Sequence, residues 1–203
     1  MSHDPHQAFF DELAEEWDLQ FTAEDLERLS HIVEDIDIRE GMEILDLGCG
    51  TGVLFDLLRR RVGAAGTITG VDFSIQMARV AHRNFPFANV NVVDADALAL
   101  PFRDSSFDVA ISFSAFPHFS DQQLALAEVD RVLKPNAVFC IIHLVSSKEL
   151  SDIHHRAGGA VVDDELPTTG RMQEMLGANN FKVVKIEDHP GLYMVCAVST
   201  KKS

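Results

Sequence analysis

The sequence predicts an α/β protein with a mostly parallel sheet, and three observations predict it. The first is the stretch Ile44-Leu45-Asp46-Leu47-Gly48-Cys49-Gly50-Thr51-Gly52, an apolar run ending in an acid and followed by glycines at alternate positions. A helix-like pattern begins at Val53. Strand, glycine turn and helix in that order build nucleotide-type sites, because glycine lets the backbone approach a ligand and a helix start presents free N–H groups. The second is a run of four strand–helix alternations, which implies parallel strands joined by helical crossovers. The third is apolar runs such as Phe139-Cys140-Ile141-Ile142, which fit strands buried on both faces.

The elements follow in chain order. Phe9 to Trp17 places apolar residues on one helix face. Thr22, with Asp25 three residues on, is a candidate N-cap for a second helix striped by Leu26, Leu29, Ile32, Val33 and Ile36. These two helices can cover the sheet, or the first, with Trp17, can close over a ligand. Glu43 to Leu47 is the first strand, and Thr51 to Arg61 the helix after it. Thr67 to Val71 is the second strand, ending at Asp72. Ser74 caps a helix that reaches about Asn84 and stops before Pro86. Val90 to Val93 is the third strand, Leu98 to Ser106 a connection, and Phe107 to Ser112 the fourth strand. Ser120 can cap a helix from about Asp121 to Leu133, and Ala137 to His143 is the fifth strand. A helix over Ser147 to Arg156 leads into an irregular insert, and Gly170 to Gly177 reads as helical. Phe181 to Glu187 and Tyr193 to Ser199 are strands whose short link, His189-Pro190-Gly191, makes them an antiparallel pair.

The 203 residues fit one domain: a helical cap over 1–40, a ligand-binding core over 41–145, and an insert with the strand pair over 146–203. The N-terminus lacks the basic and apolar regions of a secretory signal, and no apolar run is long enough to cross a membrane. A cytoplasmic protein with no membrane partner is therefore expected. The formal charge of −15 repels phosphate backbones, so nucleic acid is not expected as substrate. Cys49, Cys140 and Cys196 are widely spaced, and three reduced thiols are expected, with neither a disulfide nor a zinc site.

Several motifs now stand in order: Leu45-Asp46-Leu47-Gly48-Cys49-Gly50-Thr51-Gly52, Val71-Asp72-Phe73-Ser74 with Met77, and Asp96 with Leu100-Pro101-Phe102. Phe107-Asp108-Val109 and Arg131-Val132-Leu133-Lys134-Pro135 complete the set. Together the chain resembles a class I S-adenosylmethionine-dependent methyltransferase of the small-molecule kind, from about residue 9 to residue 199. The resemblance implies a three-layer, Rossmann-like, seven-stranded sheet with an antiparallel last strand. It also implies S-adenosylmethionine as cofactor, adenosylhomocysteine as product, and in-line methyl transfer to a small-molecule acceptor. On the matching positions, Asp46 and the backbone of Gly48, Cys49 and Gly50 would hold the methionine portion. Asp72 would take the ribose hydroxyls, Phe73 and Met77 would flank the adenine, and Asp96 with the Ala97 backbone would meet its amino group. Ser112 and Phe113 would border the sulfonium.

Two other readings stand beside it. A nicotinamide oxidoreductase fingerprint wants its third glycine at position 53, where this chain has Val53 and places Gly52 one residue earlier. A protein that binds the cofactor without transferring the methyl would keep the same loop. The acceptor should sit at the carboxyl ends of the strands. Candidate walls are Phe113 to Phe119, His143 to Ser147, the insert at Ser151 to Asp164, and the N-terminal helix with Phe9 and Phe10. His118, His143 and His154 fall on that rim as candidate bases or substrate anchors, since imidazole exchanges protons near neutral pH. No tight ligand spacing among them supports a metal site. Tyr193, the only tyrosine, is a further candidate.

Overall fold

The computed structural model describes residues 4–202. The N-terminal reading thus rests partly on residues 1–3, and the C-terminal boundary on residue 203, which lie outside the described residues. The strands are β1 (Glu43–Leu47), β2 (Thr67–Asp72), β3 (Val90–Asp94), β4 (Phe107–Phe113), β5 (Leu133–His143), β6 (Phe181–His189) and β7 (Leu192–Ser199). They form one sheet in the order β3-β2-β1-β4-β5-β7-β6. β1 pairs in parallel with β2 and with β4, and the remaining pairs of β1 to β5 are parallel too. β7 runs antiparallel to β5 on one side and β6 on the other. This is the seven-stranded sheet with an antiparallel last strand that the resemblance implies. The chain leaves β1 in one direction for β2 and β3 and later returns on the other side for β4. The crevice at that switch lies beyond the carboxyl ends of β1 and β4.

The helices are α1 (Pro5–Leu13), α2 (Ala23–Glu34), α3 (Phe55–Val62), α4 (Ile75–Asn84), α5 (Gln122–Val132), α6 (Ser147–Ala157) and α7 (Thr169–Ala178). One sheet face buries Leu126, Val129 and Val132 of α5 with Met172 and Leu176 of α7. The other buries Leu29 and Val33 of α2 with Phe55, Leu58 and Val62 of α3. Helices on both faces explain why the central strands are apolar on both sides. The Leu100-Pro101-Phe102 and Arg131 motifs turn out to be one structural unit. Arg131 Nη1 donates to the Phe102 carbonyl at 2.7 Å and to Asp104 at 2.9 Å, Nη2 donates to the Leu100 carbonyl at 2.9 Å, and Glu128 accepts from Nε and Nη2.

Local differences from expectation have local causes. The first helix starts at Pro5 because Asp4 caps it, accepting from the His6 N–H, and a separate 3-10 turn spans Trp17–Gln20. The helix after the glycine loop starts at Phe55, since residues 51–54 form turns. The cap of α5 is Asp121, which accepts from the Leu124 N–H, where Ser120 was expected. Thr22 forms the expected capping box with Asp25. Thr22→Ala is expected to cost about 1 kcal/mol of stability, seen as a lower urea midpoint with an unchanged slope.

The cysteines correct one expectation. Cys140 and Cys196 form a disulfide, and only Cys49 is free. Separation of 56 residues along the chain says nothing about strand register. The antiparallel pairing of β5 with β7 sets the two residues directly opposite, with Cα atoms 4.3 Å apart.

Candidate active site

β1 ends in Asp46 and Leu47, and the chain then needs a sharp turn. Gly48, Gly50 and Gly52 all take positive φ there. The turn is locked from within: the Gly48 and Cys49 N–H groups both donate to the Val71 carbonyl, at 2.8 and 2.9 Å, and the Gly50 N–H donates to Asp72 at 2.8 Å. The loop therefore spends these three donors on the protein itself.

Asp46 is fully buried, and neither carboxylate oxygen has a protein partner among the described residues. Burial, reinforced by the charge of Asp72, pushes its pKa up to about 8. A buried carboxylate without a partner is costly, and its presence on a cavity wall points to a cationic ligand group. Asp72, also buried, is raised to about 6 by burial although the Ser74 and Gly50 N–H groups work against the shift. Burial pushes the Cys49 thiol well up, which leaves it protonated and unreactive.

Asp46, Gly48, Cys49, Gly50, Asp72, Phe73, Met77 and Phe113 line one narrow cavity of ≈ 50 Å³. Asp96 and Ala97 line an adjoining pocket that shares Asp72 and Phe73, and Asp96 accepts from the Leu98 N–H at 2.9 Å. Ser112 does not line that cavity; it is buried behind it, while Ser114 and Ala115 do line it.

A second cavity, of ≈ 360 Å³, lies beside the first and shares Phe10, Trp17, Phe21, Ser114 and His118 with it. Its walls are mostly apolar, including Phe9, Leu144, Leu150, Ile153 and Val161. His118, His143 and His154 all line it, so the three histidines picked from the sequence come together. Their surroundings differ. His143 is buried with Nε2 unpartnered, and burial followed by the His118 and His154 charges drives its pKa down to about 3. His118 Nδ1 lies 2.7 Å from Asp164, and His154 Nδ1 lies 2.6 Å from the Asp164 carbonyl. Asp164 was not singled out in the sequence, because one acid in the run Asp163-Asp164-Glu165 reads as a solvated loop. Tyr193 is buried away from the cavity and donates to the Pro167 carbonyl at 3.0 Å.

The N-terminal segment closes the roof. Trp17 packs over the glycine loop, and Asp18 accepts from Thr51 Oγ1. Asp11 accepts from Ser74 Oγ at 2.6 Å and from the Gln76 N–H at 3.0 Å, and Gln7 donates to the Phe73 carbonyl at 2.8 Å.

Residues 45–141, a little under half of the chain, match the family described as a methyltransferase domain. Over 112 residues the chain is 39% identical to demethylmenaquinone methyltransferase of Staphylococcus aureus, a match covering 54% of this chain and 46% of that protein. The chain thus spans about half the length of the curated relatives it matches. Its fold is shared with a SAM-dependent methyltransferase from Aquifex aeolicus, with a TM-score of 0.71 at 22% identity, covering 97% of this chain and 99% of that one. It is also shared with a chain from the complex between the Haloferax volcanii Trm112 methyltransferase activator and a methyltransferase, with a TM-score of 0.81 at 19% identity, covering 95% and 98%. The bare strand-end carboxylate of Asp46 thus lies inside the segment that matches a methyltransferase domain.

Proposed function

We propose that the chain transfers a methyl group from S-adenosylmethionine to a small, largely apolar acceptor bound in the ≈ 360 Å³ cavity. The observation that carries this is the pairing of cavities: one holds an orphaned buried carboxylate, and the other is apolar with imidazoles at its rim. The cofactor supplies an activated methyl group on a sulfonium.

The residues of the chain fit that cofactor. Asp46, once ionised, matches the ammonium of the methionine portion, and the loop adds carbonyls because its donors are already used. Asp72 keeps free lone pairs for ribose hydroxyls. Phe73 and Met77 provide apolar surface for the adenine, with Asp96 and Ala97 at its edge and Phe113 beside the reacting end. His118, His143 and His154 would anchor the acceptor, and closure by α1 and Trp17 would exclude water. Alignment of acceptor and methyl is the main catalytic contribution expected of such a site. The name of the Staphylococcus aureus relative, demethylmenaquinone methyltransferase, is in keeping with an apolar acceptor.

Calorimetry with adenosylhomocysteine tests the cofactor site. Wild type should bind, and Asp72→Ala should bind about 100-fold more weakly, the loss of two hydrogen bonds to a charged group. Absence of wild-type binding would refute the proposal. Turnover of methyl-labelled cofactor with a pool of hydroxylated aromatic compounds then separates a transferase from a protein that only binds.

A further inference from the structure

Asp164 sits at the meeting point of three segments that are far apart in the sequence. Its Oδ2 lies 2.7 Å from His118 Nδ1, in the turn after β4. Its carboxylate also lies 3.0 and 3.1 Å from His6 Nε2, on α1. Its main-chain carbonyl lies 2.6 Å from His154 Nδ1, on α6. The side chains of Asp164 and His118 are largely shielded, at 14% and 11% exposure.

The chemistry of these contacts sets the tautomer. An ionised carboxylate only accepts, so His118 Nδ1 carries the hydrogen. That leaves a lone pair on Nε2, which has no hydrogen-bond partner among the described residues. Of the three histidines, only His118 lines both the cofactor cavity and the acceptor cavity. His143 also borders the acceptor cavity, but its pKa of about 3 makes it too weak a base. We propose that Asp164 is the positioning residue of a carboxylate–imidazole pair in which His118 Nε2 removes a hydroxyl proton from the acceptor, and that the acceptor is therefore a phenol or enol. This rests on the methyltransferase reading above.

The acid class follows from matching. A base is needed only where the nucleophile must lose a proton before or during attack. A phenol, with an ordinary pKa near 10, lies within reach of an imidazole, whereas an aliphatic alcohol does not. The apolar walls suit an aromatic or conjugated ring. In the step, the acceptor O–H bond breaks, its electron pair stays on oxygen, and a new N–H bond forms at Nε2. The resulting imidazolium faces the Asp164 carboxylate, and its proton returns to water after product release. Burial lowers the His118 pKa, and Asp164 opposes that shift. The other ionisable groups around His118 are His6 on α1, His154 on α6 and His143 on β5, with Asp46, Cys49 and Asp72 across one cavity, Asp4 and Asp96 across the adjoining pocket, and Asp25 across the acceptor cavity.

Two measurements on the full chain test the pair. Nitrogen-15 spectra of histidine-labelled protein should show His118 with hydrogen on Nδ1, and Asp164→Asn should lower its titration midpoint by about one pH unit. An Nε2–H tautomer, or an unchanged midpoint, overturns the proposal. The second probe is 4-nitrophenol, which turns yellow on ionisation, added to protein loaded with adenosylhomocysteine at pH 6. Wild type should ionise bound 4-nitrophenol beyond its free fraction, and Asp164→Asn should cut that ionisation about tenfold. An unaltered fraction in wild type, or equal fractions in both proteins, overturns the proposal. If Asp164→Asn fails to fold, His118→Asn gives the same reading, with loss of the ionisation expected. Failure to bind adenosylhomocysteine would instead sink the methyltransferase reading, and the nitrogen-15 result would still decide the pair.

Discussion

Asp46→Asn is expected to raise thermal stability and abolish adenosylhomocysteine binding in the same protein. The carboxyl is fully buried, unpartnered, and raised from 3.8 to about 8. A shift of that size corresponds to roughly 6 kcal/mol of lost stability at its limit, and the orphaned asparagine will recover only part of it. The sign follows from proton binding. The unfolded carboxyl ionises near its ordinary value, while the folded one keeps its proton until about pH 8, so wild-type stability falls as pH rises through that window. The variant should match wild type near pH 3 and exceed it increasingly from pH 4 to 8. Melting curves at several pH values measure this, with each kcal/mol moving the midpoint by about 2–4 °C. Binding should show the reverse face of the same cost. If the ionised carboxylate receives the ligand ammonium, wild-type affinity should rise toward pH 8, with about one proton released per ligand at pH 7. Calorimetry in buffers of different ionisation enthalpy counts that proton. A variant that binds as tightly as wild type would remove Asp46 from the cofactor site.

Gly48→Ala is the second large effect, for a steric reason. A Cβ on Gly48 would lie 2.3 Å from Ala115 Cβ, and the residue sits at φ +74°, where side chains are disfavoured. The backbone conformation alone costs about 1 kcal/mol and the overlap about 1–3 kcal/mol more. Relief requires moving either the β1 turn or the segment carrying Ala115 and His118, and both line the cofactor cavity. Stability should therefore fall by about 2–4 kcal/mol, with adenosylhomocysteine binding lost even where the variant remains folded. Gly158 is the control. It also has positive φ, +65° with ψ −161°, but a Cβ there meets nothing within 4 Å, so Gly158→Ala should cost only the backbone strain, about 1–3 kcal/mol, and leave adenosylhomocysteine binding intact. Equal effects at the two positions would show that backbone conformation, not the close approach, dominates at Gly48.

The segments proposed to hold the cofactor were legible because each is local. Asp46 to Gly52 and Asp72 to Met77 are each continuous segments, and the strand period places their acids at strand ends. The acceptor half was legible only as a set of candidates. His118, His143 and His154 reach one cavity through three different connections, and nothing in their spacing tells them apart. Ser112 shows the limit of counting along a strand end, since it is fully buried and lines neither cavity.

The sequence by itself determined the alternation of strands and helices, the capping at Thr22 and Ser74, and the glycine turn with its two acids. These depend on hydrogen bonds and side-chain periods within a few residues. Only the tertiary structure decided that Cys140 faces Cys196, that Asp46 has no partner, and that Asp164 joins His6, His118 and His154. Each depends on register or burial between segments tens of residues apart. Chain-local pattern carries no information about such distances, because they follow from how the layers close on one another.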